Sequence, residues 1–544
     1  MTMKVDGLEV AITANLFQAL WTLSAPGVLS GPVWVDAVCI NQVDTLGRSK
    51  QVALMRSVFG QARVVHIYLG PDRESTAEAF RAFKDLASGT SVNSVVEEQR
   101  VDAVSMFNLL AHPWWDRLWV LQEVALAKHP ILHCGDSTID FWTLIDGFTK
   151  IRQSIVLEGL FCNDTEPFDP AQDRFYRLDS VVHVYQILRT PGLPPDILMN
   201  VANGLRCSDE RDRVYGLLGL MGDTITLLPD YSFDEGQIRA DATFAIMQST
   251  LSVRVLRLVD SPSSAGASWI PSYYRSNNLI GMHDVAYGPN DETHYGAFVL
   301  ERRIGDHLCL NALLVDTVDM VSSAVHGYYA YGWELSHGRN TLRKWLAAAE
   351  ESFRGQEAGR GQLVYPREQS TQTRLQRDFW QTVLCGGLYS VIANDRTHDL
   401  AAMISQYQEW LEDEAMILDG YLARQLDRLL VDASFFVTEH GRMGMTRSEP
   451  SKGNLVALLV GDDIPYLVDR SESEDRREST SSNTEAMLTS SSFVDSREEL
   501  YRLKGTCFIH GLMHGEGIEE ALVWRQQEDS EATYGDLWSP TWFH

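Results

Sequence analysis

The run Val33–Gln42, with the sequence VWVDAVCINQ, constrains the fold more than any other stretch of the chain. Its first three residues are apolar and either β-branched or aromatic, so they predict a short buried strand, Val33–Val35. Asp36 and Asn41 follow where that strand would end, and ligand crevices form at the carboxyl ends of strands in open parallel sheets. The alternative, which the chemistry alone favours, is that Asp and Asn are loop residues that cap the next helix.

The elements around this run predict an α/β fold. Apolar spacing predicts a helix over Asn15–Leu23, a second helix over Ser49–Ala62, and a strand over Val64–Leu69. Gly70 and Pro71 then form a turn after the strand. Helices and strands that alternate at such short intervals are typical of a parallel sheet with covering helices.

Composition narrows the class of protein. The chain has 544 residues and a net charge of −28, which argues against a nucleic-acid or anionic-membrane binder. The seven cysteines are scattered without C-x-x-C spacing, which is typical of reduced thiols rather than of disulfides or a zinc site. We expect no metal site and no membrane segment, and a location in the cytoplasm or the nucleus.

The chain divides into four predicted regions. Residues 1–150 are the α/β region, 151–330 are mainly helical with loops, and 331–432 are helical. Residues 433–544 form a small β-rich module, because short apolar runs there alternate with turns. Within this module, residues 471–499 are dominated by Ser, Glu, Asp and Arg. They predict a disordered insert, because such a tract buries too little apolar surface to fold.

Glu123 is the candidate active-site residue. It lies in a predicted helix over Trp114–Lys128. The residues that share one face of this helix are Asp116, Trp119, Val120, Glu123 and Ala127. Apolar neighbours desolvate a carboxylate and raise its pKa, which suits acid–base or hydrogen-bonding chemistry. The alternative, which the residues alone favour, is that Glu123 pairs with a basic residue such as Arg117.

Several ordered motifs resemble fungal heterokaryon-incompatibility (HET) domains. The segments that carry this resemblance are Val33–Gln42, Gln51–Gly70, Arg117–Glu123, Asp209–Gly219, Pro229–Tyr231 and Ser268–Pro271. Near the C-terminus, Phe435–Gly441 is similar to "F-F-x-T-x-x-G" and Gly511–Glu516 to "G-I-M-x-G-E", which occur in many long HET proteins. The resemblance implies a role in fungal non-self recognition.

A more distant resemblance joins the first region to TIR domains, in which the glutamate of a "W-C-x-x-E" helix cleaves the nicotinamide–ribose bond of NAD. Trp119 and Glu123 have the same spacing, although Val120 stands where TIR domains often have Cys. The resemblance implies a TIR-like, flavodoxin-like parallel sheet with Glu123 as the catalytic residue. It implies Asp36, Asn41 and Trp119 as substrate-binding residues, NAD as the candidate substrate, and no cofactor.

One departure from the family pattern concerns the first strand. HET domains usually begin with a strand of the form "Y-x-x-L-S-Y-x-W-G", whereas this sequence starts near the second element, of which Leu8–Leu16 is recognisable. Loss of a central parallel strand would expose two ladder edges and part of the core. Three explanations fit: a gene model that starts too late, a scaffold that has lost nucleotide binding, or an unrelated chemistry on a remodelled site.

Two classes of function therefore compete. The first is a regulator of non-self recognition that triggers cell death through NAD cleavage by Glu123. The second is a HET-like scaffold, or an auxiliary protein or enzyme of a secondary-metabolite gene cluster, without NAD cleavage. No repeat array follows the HET region, so we expect a protein partner or a second copy of the chain to bind the C-terminal regions.

Overall fold

The computed structural model shows two compact units, residues 1–242 and 243–544. Apart from a few single positions, the described residues are 1–71, 76–95, 109–153, 181–259, 266–273, 302–322, 335–359, 371–384, 400–416, 432–471, 499–512 and 516–544. The four-region division of the sequence remains a prediction beside these two units.

The first unit mixes short strands with helices. Its elements are β1 (Thr2–Val5), β2 (Leu8–Ala11), α1 (Ala14–Leu23), α2 (Asp36–Cys39), α3 (Thr45–Ala53), α4 (Met55–Gln61), β3 (Val65–Tyr68), α5 (Thr76–Ala87), α6 (Val120–Ala125), β4 (Pro130–Cys134), β5 (Ser137–Asp140), α7 (Phe141–Gln153), α8 (Pro195–Ala202), α9 (Asp212–Met221) and α10 (Glu235–Thr250), which contains the division between the units. The predicted helix Asn15–Leu23 and strand Val64–Leu69 are confirmed as α1 and β3.

Strands β3, β4 and β5 form a three-stranded mixed sheet, in which β3 and β4 are parallel and β4 and β5 antiparallel. Helices α5 and α7 pack together through Phe83 and Phe148, whose ring centroids lie 4.5 Å apart. Gly147 allows this approach, because a Cβ there would lie 2.8 Å from the Phe83 ring. The mixed α/β class is confirmed, and within the described residues of this sheet the parallel pairing is limited to β3 and β4.

The predicted strand Val33–Val35 is wrong. Val35 has extended backbone angles, yet the described residues offer this segment no paired strand, and the helix α2 begins directly at Asp36. Val33 is 43% exposed, while Trp34 packs edge-on against Phe59 with 6.1 Å between ring centroids. β-branched residues form a strand only where a neighbour supplies the hydrogen-bonding ladder, so the tertiary context overrides their propensity.

Two predicted helices are interrupted. The predicted helix Ser49–Ala62 is divided at Leu54, which is half exposed, into α3 and α4. The predicted helix Trp114–Lys128 is replaced by a 3₁₀ turn, Pro113–Asp116, followed by a bridge residue and the short helix α6. Arg206 causes this break, because its backbone pairs with Asp116 and Leu118 and holds the segment extended.

Within the described residues, the second unit contains three long helices in its middle part, a fourth helix near the C-terminus and a large sheet. Its further elements are β6 (Arg302–Ile304), β7 (His307–Ser322), α11 (Leu335–Gly359), α12 (Thr371–Val383), α13 (Leu400–Glu412), β8 (Ser434–Thr438), β9 (Met443–Thr446), β10 (Leu455–Leu459), β11 (Tyr466–Arg470), β12 (Leu500–Ile509), α14 (Glu516–Glu528) and β13 (Ser539–Phe543). The predicted C-terminal β-rich module is confirmed. The long strand β7 lies inside the region 151–330, which was expected to be mainly helical, and residues 472–498 of the predicted disordered insert lie outside the described residues.

The eight-stranded sheet of this unit closes on itself. Strand β7 pairs with both β10 and β13, while β11 and β12 complete a ring of five paired strands. The far half of β7 continues past this ring to pair with β8, and β9 joins β8 to β12. Register shifts near Val318 and Val456 bend the strands. Closure of this kind removes exposed strand edges, which are sites of aggregation.

Strand β8 separates two apolar cores. Because side chains alternate across a strand, Phe435 and Phe436 point to opposite faces. Phe435 stacks on Trp345 of α11, with 5.5 Å between ring centroids, in a core built with the three long helices. Phe436 packs with Val318 and Val456 in the smaller core within the sheet. All five residues of β8 are buried, which explains why its sequence is apolar without alternation.

Gly444→Ala tests this packing. A Cβ at Gly444 would lie 2.3 Å from the buried ring of Phe436, so the ring or the strand must move. We expect the free energy of unfolding, measured in urea, to fall by about 1–3 kcal/mol. Gly31→Ala is the matched control, because nothing lies within 4 Å of its added Cβ. Equal stability of the two variants would contradict the packing at Phe436.

Candidate functional site

Glu123 lies on α6, a helix of six residues that is otherwise mostly buried. Val120, Leu121 and Val124 are completely covered, whereas Glu123 is partly buried. The apolar pattern of LxxV thus anchors the helix in the core and leaves the carboxylate at its border. This is the environment that the sequence predicts for Glu123, although the helix is much shorter than expected.

Burial and three neighbouring groups set the electrostatics of Glu123. Burial raises the pKa of the Glu123 carboxyl above its ordinary value, and the negative charge of Asp36 raises it further. The guanidinium of Arg117 and a hydrogen bond from the Trp114 side chain act in the opposite direction. Both interpretations of the sequence therefore hold in part: Glu123 is desolvated, and Arg117 is its positive neighbour. Asp36 is the predicted binding residue that the structure couples to Glu123.

The other two predicted binding residues have different partners. The Trp119 indole Nε1 donates a hydrogen bond to Asp212 at 3.2 Å, which ties Trp119 to α9. Asn41 is exposed, and its side-chain oxygen accepts a hydrogen bond from the backbone N–H of Val43 at 3.2 Å. The Trp119 backbone carbonyl accepts the Glu123 backbone N–H at 3.2 Å. Among the described residues, the Trp119 and Asn41 side chains show no hydrogen bond to the Glu123 carboxylate.

A buried polar network around Asp212 was missed by the sequence analysis. Asp212 is the first residue of α9 and is 3% exposed. Its carboxylate accepts a short hydrogen bond from the Tyr231 hydroxyl, the bond from Trp119, and an ion pair with Arg48 at 3.5 Å. The network thus joins α3, the start of α6, α9 and the segment before α10.

Arg48 and Arg211 complete this network. Arg48 pairs with Asp209 at 3.0 Å and lies over the ring of Tyr231, 3.7 Å from its centroid. Arg211 donates two hydrogen bonds to the same Asp209 carboxylate, from Nε at 2.8 Å and from Nη2 at 2.9 Å. Arg211 thus forms a structural ion pair with Asp209. Arg48, which in sequence resembles part of a solvated helix start, instead binds two acidic residues, because the fold brings Asp209 and Asp212 to it.

The two carboxylates of the network titrate differently. Burial raises the pKa of Asp212, against the opposing effects of Tyr231, Trp119 and Arg48. Burial also acts to raise the pKa of Asp209, but the hydrogen bonds and charge of Arg211 outweigh it and hold the pKa below its ordinary value. Burial and the adjacent Asp212 raise the pKa of Tyr231 as well. Tyr231 therefore remains a neutral hydrogen-bond donor at physiological pH.

Glycines let α9 approach α6 closely. Gln122 is 1% exposed and donates a hydrogen bond to the Gly216 carbonyl at 2.7 Å. A Cβ at Gly219 would lie 2.6 Å from the Gln122 side-chain oxygen, and one at Gly216 would lie 3.0 Å from Leu118. The small residues of α9 therefore serve helix packing beside Glu123.

The described residues hold no group of three or more His, Cys, Asp or Glu side chains that could bind a metal ion. The cysteines among the described residues are free thiols, including Cys39, the last residue of α2. No helix in the described part of the chain is long and apolar enough to cross a membrane.

Comparison with known proteins finds two similarities. Residues 1–123, which end at Glu123, match the family described as Heterokaryon incompatibility protein (HET). The chain is also 26% identical over 558 residues to Heterokaryon incompatibility protein 6, OR allele, of Neurospora crassa, covering 80% of this chain and 77% of that protein. These findings support the resemblance to the HET family and a fungal origin. No solved structure matches the chain.

The sequence signal for the missed network lay in the family motifs themselves. Arg48 and Ser49 lie just before the segment Gln51–Gly70, and Trp119 lies in Arg117–Glu123. Asp212 lies in Asp209–Gly219, and Tyr231 ends the segment Pro229–Tyr231. The structure brings these segments together in the first unit: Ser49 Oγ, for example, accepts the Tyr231 N–H at 3.1 Å. Acidic and basic residues in separate motifs of one chain are therefore candidates for mutual ion pairs.

Asp212→Asn tests the importance of the network. The amide nitrogen of Asn would face donors from Trp119 or Arg48, so buried donors lose their acceptor. We expect the free energy of unfolding in urea to fall by about 2–4 kcal/mol. Asp223→Asn is the matched control, because Asp223 pairs with Arg56 in the open and should contribute less than about 1 kcal/mol. A loss no larger than that of the control would show that the network does not stabilise the fold.

Proposed function

We propose that this chain acts in heterokaryon incompatibility, as a regulator of fungal non-self recognition whose HET domain triggers cell death. The proposal rests on the match of residues 1–123 to the HET family and on the similarity to the Neurospora heterokaryon incompatibility protein. The observation that carries the mechanism is the partly buried carboxylate of Glu123, the last residue of the matched region. Burial and the charge of Asp36 raise the pKa of this carboxyl. Raised pKa values of this kind are typical of functional carboxylates.

The chemistry that we propose for Glu123 is TIR-like cleavage of NAD on a TIR-like sheet. The bond between C1′ of the ribose and nicotinamide breaks, and nicotinamide leaves with the bonding electron pair. Water supplies the oxygen that joins C1′, and its proton goes to solvent. Ionised Glu123 would hydrogen-bond the ribose hydroxyls and stabilise the positive charge that develops on the sugar. The parallel pair β3–β4 and the spacing of Trp119 to Glu123 support this proposal.

Expression in a fungal host tests the biological role. We expect induction of the wild-type chain to arrest growth and increase uptake of a vital dye, and Glu123→Gln to abolish both effects. Glu78→Gln is the matched control, because Glu78 is an exposed glutamate on α5. Immunoblots confirm equal protein levels. Healthy growth with the wild-type protein at high level would contradict a direct role in cell death, and equal killing by Glu123→Gln would remove Glu123 from the mechanism.

Nicotinamide release from NAD tests the chemistry. We expect the purified protein to release nicotinamide and Glu123→Gln to lose at least about 100-fold in rate, since a preorganised charge commonly contributes that much. Because the ionised carboxylate is the active form, the rate should rise with pH through the raised pKa of Glu123. The midpoint of this rise should lie above 4.5, the ordinary value. A folded wild-type protein that releases no nicotinamide would rule out NAD cleavage by this chain.

A second candidate is a scaffold without catalysis. Two hydrogen bonds favour this candidate. The Trp119 indole donates to buried Asp212, and the Asn41 side-chain oxygen accepts from the Val43 N–H in a local turn. Both side chains then stabilise the fold rather than bind a substrate. A non-lethal scaffold would leave the growth of the fungal host unchanged and would release no nicotinamide, and Glu123→Gln would change neither result. The two assays together therefore separate the candidates.

A further inference from the structure

Two arginines from distant parts of the first unit lie side by side, and one of them, Arg117, is near enough to Glu123 to affect its pKa. Arg117 and Arg206 are partners in an isolated parallel bridge. The Arg206 N–H donates to the Asp116 carbonyl at 2.5 Å, and the Leu118 N–H donates to the Arg206 carbonyl at 2.9 Å. In such a bridge the two backbones lie about 4.8 Å apart and the paired side chains leave on the same side.

This pairing is unfavourable by itself. Like charges directly opposite each other destabilise a strand pair, and both arginines are exposed. Within the described residues the structure shows no ion pair for either guanidinium. By contrast, three other arginines of this region each pair with a carboxylate: Arg48, Arg211 and Arg213. Arg117 has the partly buried Glu123 carboxylate nearby but, within the described residues, neither Arg117 nor Arg206 shows an ion pair of the kind that the neighbouring arginines have.

We propose that Arg117 and Arg206 bind the diphosphate group of a nucleotide whose sugar lies at Glu123. Two planar guanidinium groups from adjacent strands offer forked donors to two phosphates, the recognition for which arginine is suited. Arg117 is close enough to Glu123 to lower its pKa, so a ligand bound through Arg117 extends toward that carboxylate. The proposal deepens the proposed function by adding a phosphate-binding site, and NAD contains the required diphosphate.

The charge of the chain favours a small ligand. With a net charge of −28, the protein repels polyanions such as nucleic acids, and a local pair of positive charges selects compact anions. A single phosphate would meet only part of the donor set, whereas a diphosphate can contact both side chains. The site is therefore expected to prefer pyrophosphate over orthophosphate, and ADP-ribose over adenosine.

Titration calorimetry at low salt tests the site with ADP-ribose, inorganic pyrophosphate, orthophosphate and adenosine as probes. We expect ADP-ribose and pyrophosphate to bind, and Arg117→Gln and Arg206→Gln each to weaken both by about tenfold or more. Arg206→Lys should restore binding only in part, since lysine lacks the fork. Arg81→Gln, an exposed arginine on α5, is the control and should bind as the wild type does.

Thermal unfolding without ligand separates binding from folding. Because Arg206→Gln removes a like-charge pair, its melting temperature should equal or exceed that of the wild type, while the rise caused by pyrophosphate should disappear. Absence of pyrophosphate and ADP-ribose binding to the wild-type protein would overturn the proposal, as would unchanged binding by both glutamine variants. Binding without nicotinamide release would refute NAD cleavage alone and leave the diphosphate site intact.

Discussion

The buried carboxylate of Asp212 joins segments that are far apart in the sequence. It receives the Tyr231 hydroxyl, the Trp119 indole and the Arg48 guanidinium, so the start of α6, the helix α3 and the segment before α10 meet at one point. A buried charge is costly unless all its oxygens are satisfied, and this requirement restricts each partner to one position. Because Trp119 precedes α6, the same network determines where Glu123 lies.

The region around Glu123 contains a pair of positively charged side chains, whereas the chain as a whole is acidic. Burial and Asp36 make the Glu123 carboxylate harder to ionise, while Arg117 and the adjacent Arg206 form a local positive site. A carboxylate beside exposed guanidinium groups can act on a ligand that carries phosphate and a sugar, which is the chemistry that both proposals share. Residues 1–123 match the HET family and contribute Asp36, Arg117 and Glu123, whereas Arg206 comes from beyond the matched segment.

The second unit is organised around a closed sheet. Its sheet closes through β7, which pairs with β10, β13 and β8 along its 16 residues. Closure satisfies the backbone of nearly every strand within the sheet and leaves side chains to fill two cores on either side of β8. Phe435 and Phe436 are adjacent in sequence but belong to different cores. The Phe436 ring packs closely against Gly444 and leaves no space for a Cβ there.

By itself, the sequence determined the elements whose residues carry their own signal: the helix α1, the strand β3, the C-terminal strands, the partly desolvated Glu123 and the resemblance to the HET family. Local propensity and apolar period are sufficient for the helix and the strands, and ordered motifs carry the family resemblance. Only the tertiary structure decided that Val33–Val35 is unpaired, that Arg206 interrupts the helix predicted over Trp114–Lys128, and that Trp119 and Arg48 bind Asp212. The physical reason is that backbone pairing and buried ion pairs depend on partners about 90 to 160 positions away, whose approach no local pattern encodes.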